Sequence, residues 1–232
     1  MARLKKEPKG LINYVVEPTV MKAIEEWQNW MNVEKNCSNH TLDAYGRDLS
    51  AFCRHLSNHI GSPPNFNNLK NLTTTDFRGY LAKLHTDGLA RSSIARIIST
   101  LRSFFKFLDH NEIIHNVAIK MIKTPKIPHS IPKPLSEIEA KDALKYIGQL
   151  HDNPWIAARD VAILTLLYGC GLRISEALNL NVEDIPTDDI IIITGKGNKQ
   201  RIVPVLPIVV DAIQYYRDIY PNHDHKNGPL FI

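Results

Sequence analysis

Two basic side chains stand in settings where they could do chemistry. Arg173 lies in Gly169-Cys170-Gly171-Leu172-Arg173-Ile174-Ser175-Glu176-Ala177-Leu178, where two glycines predict a tight turn and a new helix starts at the arginine. An arginine beside the free N–H groups of a helix start is an oxyanion receptor, and its planar fork can make two parallel bonds to a phosphate. The same arginine could instead pair with Glu176, three residues on, as a routine helix pair. Lys196 lies in Gly195-Lys196-Gly197-Asn198-Lys199, between β runs at 189–194 and 201–205. That pattern predicts a β-hairpin whose glycines supply the positive φ angles of its turn. A lysine on a hairpin tip can swing into a neighbouring site and give up a proton, or be an ordinary solvated tip. Phosphoryl transfer is the chemistry that would use both residues together.

The elements that must position them follow from hydrophobic periodicity. Residues 155–168 are apolar on most sides, which predicts a central helix running into the Arg173 turn. Ser136 predicts the N-cap of a helix reaching about residue 150, and residues 207–220 predict another that carries Tyr215, Tyr216 and Tyr220. Residues 18–108 predict four amphipathic helices. The first covers 18–33, with Val20, Ile24, Trp27 and Met31 on one stripe. The second follows Ser38 or Asn39 as N-cap and aligns Leu42, Tyr45, Leu49, Phe52 and Leu56. A Pro- and Asn-rich stretch, 61–71, predicts a loop. The third opens on a capping box at Thr73 to Asp76 and is stopped by Gly88. In the fourth, 92–108, the buried stripe is Ile94, Ile97, Ile98, Leu101, Phe104, Phe105 and Leu108. Its other face carries Ser92, Arg96, Ser99, Arg102, Ser103 and Lys106, with Arg91 at the entry. Such a face is either solvated or made to approach phosphates and guanine edges.

Between these halves, four prolines (Pro125, Pro128, Pro132, Pro134) and four lysines (Lys120, Lys123, Lys126, Lys133) predict an extended, basic linker. The domain organisation predicted is a basic segment at 1–17, a helical domain at 18–116, a linker at 117–135 and a second domain at 136–232. Residues 1–134 hold 19 Lys and Arg against 11 Asp and Glu, a net +8, while the remaining 98 residues carry 9 against 13, a net −4. A basic front half favours a polyanionic partner. A hydrophobic share of 44% with 22% charged residues excludes a disordered chain. Cys37, Cys53 and Cys170 have no metal spacing and read as reduced thiols of a cytoplasmic protein. The charged start has no apolar stretch after it, and no run is long enough to span a membrane.

Taken together, Gly169 to Leu178 and Thr194-Gly195-Lys196-Gly197-Asn198-Lys199-Gln200-Arg201-Ile202-Val203-Pro204-Val205 resemble the first catalytic box and the catalytic-lysine hairpin of the tyrosine recombinase (phage integrase) family. The likeness is greatest to the bacterial Xer recombinases. Residues 38–49 and 92–108 resemble that family's DNA-clamping segments, and the likeness runs in order from about residue 18 to Phe231.

The resemblance implies a fold of two domains closing as a clamp around duplex DNA. One is an all-α, SAM-like helical bundle; the other is a mainly α, α+β catalytic domain with a small antiparallel sheet. It implies site-specific recombination through a 3′-phosphotyrosine, with no metal or ATP, as in resolution of chromosome dimers, with other recombinase protomers as partners on DNA. Arg173 would stabilise charge on the five-coordinate phosphorus, Lys196 would protonate the departing 5′ oxygen, and Glu176 would support the site. Arg47, Arg91, Ser92, Arg96, Arg102, Lys106, Lys199 and Arg201 would contact DNA. The family's His-x-x-Arg box is not met: none of the ten histidines has Arg three residues later, and the last tyrosine is Tyr220. The expectation is a truncated, incomplete catalytic domain, inactive in cleavage. The rival expectation is a phage or transposon integrase fragment that acts only as a DNA-binding module.

Overall fold

The computed structural model describes residues 12–127, 133–186, 189–195, 199–222 and 227–232. The chain divides into two compact units between Ser130 and Ile131.

The first unit is all helical. It contains α1 (Pro18–Val33), α2 (Asn39–Ile60), α3 (Phe66–Asn71), α4 (Thr74–Thr86) and α5 (Arg91–His110), then a 3₁₀ turn at Ala118–Met121. The ends are set by local chemistry. Pro18 opens α1, since a missing N–H costs nothing there. The Ser38 side chain accepts from the Thr41 N–H at the start of α2. Thr73 and Asp76 form a reciprocal capping box on α4. Gly88, at φ +83°, turns the chain after it, a conformation that only glycine adopts without strain.

These helices enclose one aromatic core. Trp27, Phe52, Phe77 and Phe104 are each at most 1% exposed, and burying such a side chain contributes about 1.5–3 kcal/mol. Phe52 stacks on Phe77, while Phe104 meets Trp27 edge to face.

The structure departs from the sequence reading in three ways here. The stretch read as a loop contains α3, a single turn and a half held by Asn65 and Asn68 in a reciprocal cap and by buried Leu69. On α5 the buried surface also takes in Ala95, Thr100 and Phe107, so the helix is covered on more than its predicted stripe. Ala118, Ile119 and Ile122, inside the range read as linker, pack into the same core. Asn116 makes that possible: its side-chain amide donates to the carbonyls of Leu69, Lys70 and Leu72, and its oxygen accepts from the N–H groups of Ala118 and Ile119. Ahead of α1, Tyr14 lies against α2 at Gly46, where a Cβ would come within 2.9 Å of the tyrosine hydroxyl.

The second unit holds α6 (Glu137–Ile147), α7 (Pro154–Cys170), α8 (Ile174–Leu178), a 3₁₀ turn at Val182–Asp184, β1 (Ile190–Thr194), β2 (Gln200–Pro204) and α9 (Pro207–Ile219). The strands form an antiparallel two-stranded sheet in which Ile192 pairs with Ile202. Ser136 and Glu139 cap α6 reciprocally. Helix α7 packs against α6, α8 and α9. Its buried side is the small one: Ala157, Ala158, Ala162, Thr165 and Leu166. The all-round burial expected for α7 is not observed, since Ile156, Val161, Ile163, Leu164 and Leu167 are half-buried and Tyr168 is 53% exposed. Small residues allow the closest approach, so they take the interface. At Gly169 a Cβ would lie 2.7 Å from Cγ2 of Val209. Residues 228–230 return to the 180–182 segment, with Leu230 donating to the Leu180 carbonyl at 2.8 Å.

Candidate functional site

The Arg173 turn is built by glycine chemistry, but by one glycine rather than two. Gly171 sits at φ +61° and ends α7, whereas Gly169 is still helical and serves packing against α9. Arg173 then stands at the N-cap of α8. Its backbone N–H donates to Glu176 Oε2 at 2.8 Å, and its Nη1 donates to Oε1 at 2.9 Å. The pairing with Glu176 that the sequence left open therefore exists. It leaves most of the side chain available, because the arginine side chain is 74% exposed while that of Glu176 is 5% exposed.

The same carboxylate is reached from the hairpin. Arg201 on β2 donates from Nη1 to Oε1 at 2.9 Å and from Nη2 to Oε2 at 2.8 Å, a parallel two-bond fork. These bonds, the Arg201 pair first and then the Arg173 N–H, hold the Glu176 carboxyl well below the usual carboxylate range, although burial pushes it up. The Arg201 guanidinium is pushed up in turn by Glu176. Two guanidinium groups against one carboxylate leave a net positive charge at the surface. An exposed cation with a fixed base can hold a phosphate oxyanion and steady charge that develops on it.

The hairpin loop begins beside this pair. Gly195 donates its N–H to the Lys199 carbonyl at 2.8 Å, and a Cβ on Gly195 would stand 3.6 Å from both Glu176 Oε1 and Arg201 Nη1. Gly195 does not adopt the positive φ expected of it. Lys196 and Gly197 lie outside the described residues. Lys199 is exposed. Tyr216, one of the late tyrosines, is a core residue at 1% exposure, ringed by Tyr220 and Phe231, and burial pushes its hydroxyl up.

In the first unit the basic residues read as DNA contacts fall into two groups. Arg91, Ser92 and Lys106 are exposed on α5. Arg47, Arg96 and Arg102 are engaged within the unit. Arg47 pairs with Asp43 one turn earlier on α2. Arg96 donates from Nε and Nη2 to the two oxygens of Asp48, both at 2.9 Å, while Asp48 is buried and also accepts from Thr100. Arg102 donates to Thr124 Oγ1 at 3.0 Å and to the Ile122 carbonyl. Arg102 and Lys106 line one cleft of about 400 Å³ together with Lys120 and Asp109. Ser103, read onto the outer face, is half-buried and accepts from the Trp27 indole N–H at 3.1 Å. Sequence reasoning missed Asp48; the available signal was a carboxylate next to Leu49 on the apolar side of α2. Among the described residues no three His, Cys, Asp or Glu side chains converge on a metal position, and no helix is long and apolar enough to cross a membrane.

Comparison with known proteins fits this geometry. Residues 24–112 match the model of the phage integrase N-terminal SAM-like domain, and residues 135–232 match that of the phage integrase family. The chain is 40% identical over 217 residues to a protein of Mesorhizobium japonicum named tyrosine recombinase XerC, covering 93% of this chain and 70% of the relative. It is 39% identical over 222 residues to the protein of that name from Rhodospirillum centenum, covering 95% of this chain but only 65% of the relative. Among solved structures, XerH recombinase bound to difH substrate in a pre-cleavage complex aligns with a TM-score of 0.64 at 22% identity, covering 95% of this chain and 68% of that one. The Tn1549 transposon integrase in complex with circular intermediate DNA aligns with a TM-score of 0.59 at 16% identity, covering 86% and 66%. These two likenesses are likenesses of fold. With both domain models matched in order and relatives this similar along most of its length, the chain belongs to the phage integrase family, the tyrosine recombinases.

Proposed function

We propose that the protein is a site-specific DNA recombinase of the Xer type, working in the cytoplasm on duplex DNA alongside other protomers, with resolution of chromosome dimers as its role. The observation that carries the reading is Arg173, mostly exposed while its backbone and guanidinium are fixed on the buried Glu176. Arg173 steadies charge on the phosphorus as the strand is exchanged, and Lys196 protonates the leaving 5′ oxygen. Arg91, Ser92, Arg96 and Lys106 on α5, with Arg47, Arg102 and Lys199, contact the DNA backbone or base edges. The DNA-clamping part runs from about residue 18 through Ile122, and the catalytic part from 136 onward. The chemistry requires no metal and no ATP.

A second reading has an observation of its own. Within these 232 residues no histidine has Arg three positions later, and Tyr216 is buried. On that ground this polypeptide binds duplex DNA without cleaving it. Incubating it with a nicked suicide duplex should leave no covalent protein–DNA adduct on a denaturing gel, while gel shift shows binding that weakens steeply with salt. A trapped adduct would overturn the second reading, and salt-independent binding or none would overturn both.

A further inference from the structure

The resemblance would make Arg201 a phosphate contact, but its geometry points elsewhere. Both outer nitrogens of its guanidinium are committed to the two oxygens of Glu176, at 2.9 and 2.8 Å. Glu176 in turn holds Arg173 by its backbone N–H and its side chain. The strand that carries Arg201 leads out of the loop whose root, Gly195, stands against the same carboxylate. One side chain thus connects two segments that are far apart in sequence, the Arg173 turn and the hairpin. We propose that Arg201 is a positioning residue, a strut that sets the hairpin loop and the Arg173 guanidinium in one frame through Glu176, and that it does not contact phosphate.

The reason for an arginine here is its shape. A lysine would keep the charge but could not make two parallel bonds to one carboxylate. A phosphate contact, by contrast, is largely kept by lysine, because an ammonium serves as a point charge. The two roles therefore separate on the conservative substitution. The inference rests on the proposed DNA chemistry only for the meaning of the frame; the strut itself is a property of the folded chain.

The test uses the whole chain, with Arg201→Lys, Arg201→Gln, Glu176→Gln and the Arg201→Gln/Glu176→Gln double variant. Three quantities are read: the salt slope of duplex binding, the NMR signal of the Arg173 amide, and hydrogen exchange at the Gly195 amide. The expected result is an unchanged salt slope in both Arg201 variants. With it, the Arg173 signal moves and Gly195 exchanges at least tenfold faster, in Arg201→Lys as in Arg201→Gln. Glu176→Gln should produce the same displacement, and the double variant little more. A salt slope reduced by about 0.9, the loss of one phosphate contact, overturns the assignment whatever the signals do. So does Arg201→Lys with both amides at their wild-type positions. If the wild-type chain binds no duplex, the proposed function falls, and the Arg173 and Gly195 amides alone decide the strut.

Discussion

Asn116 donates to the Leu72 carbonyl at 2.9 Å, and the same amide nitrogen serves Leu69 and Lys70 at 3.1 Å each. One buried amide so collects the carbonyls at the end of α3 while its oxygen caps the 3₁₀ turn that follows it. Asn116→Asp keeps the shape but turns the donor into an acceptor facing three carbonyls. A buried group left without partners costs about 1–3 kcal/mol, and a charged one more. Urea melts should show Asn116→Asp losing about 3–5 kcal/mol, and more than Asn116→Ala. An aspartate milder than the alanine would sink this account.

The approach of α7 to α9 depends on Gly169. Alanine would place a methyl 2.7 Å from Val209 Cγ2, and overpacking of that kind costs about 1–3 kcal/mol. Alanine also favours a helix over glycine by about 1 kcal/mol. The clash should win, giving a net loss of about 1–2 kcal/mol that Val209→Ala relieves in part. Thermal melts of the single and double variants measure it. Strict additivity would show that the two sites do not touch energetically.

Arg96→Ala removes the partner of a buried carboxylate. Asp48 would keep only the Thr100 hydroxyl, and a buried pair broken on one side costs about 3–5 kcal/mol when fully desolvated. Arg96 is 48% exposed on its side chain, so a loss of about 2–3 kcal/mol is expected. Adding Asp48→Asn should recover part of it in a urea-denaturation cycle. A double variant as unstable as the sum of the singles would mean that the pair is not coupled. Any fall in DNA binding for Arg96→Ala has to be set beside this destabilisation.

The pH response of the second unit follows from Glu176. Its carboxyl is depressed in the folded state by Arg201 and Arg173, so the stabilisation is present above the ordinary glutamate value of about 4.3 and lost as pH falls below it. The stability gap between the wild type and Glu176→Gln should therefore be constant from pH 5 to 8 and shrink on acidification. Chemical denaturation at a series of pH values reads it directly. A gap that widened toward low pH would reverse the sign and refute the assignment.

How much of this could be read from the chain varies with the range of the interaction. Helix α1 falls on residues 18–33 as expected, because Pro18 fixes its start and a 3.6-residue stripe fixes its face. The capping box at Thr73 and Asp76 and the turn glycines Gly88 and Gly171 are equally local signals. Helix α3 escaped because six residues with one buried leucine leave no periodicity to detect. The pairings that organise both basic sites, Asp48 with Arg96 and Glu176 with Arg201, span 48 and 25 residues. Nothing in either local pattern announces them. Arginines whose charge suggested an outside partner turn out to have an inside one, since a polar face and a buried counter-charge give the same spacing.

Arg96 carries one more implication. Ordering an arginine costs up to about 2 kcal/mol of rotamer freedom, and Asp48 has already imposed that order during folding. An anion that meets the exposed half of this guanidinium finds it immobile before contact. Association there surrenders less disorder than at a solvated side chain such as Lys106. The interior carboxylate thus acts on recognition from beneath the surface, by making the encounter cheaper in entropy without touching the ligand.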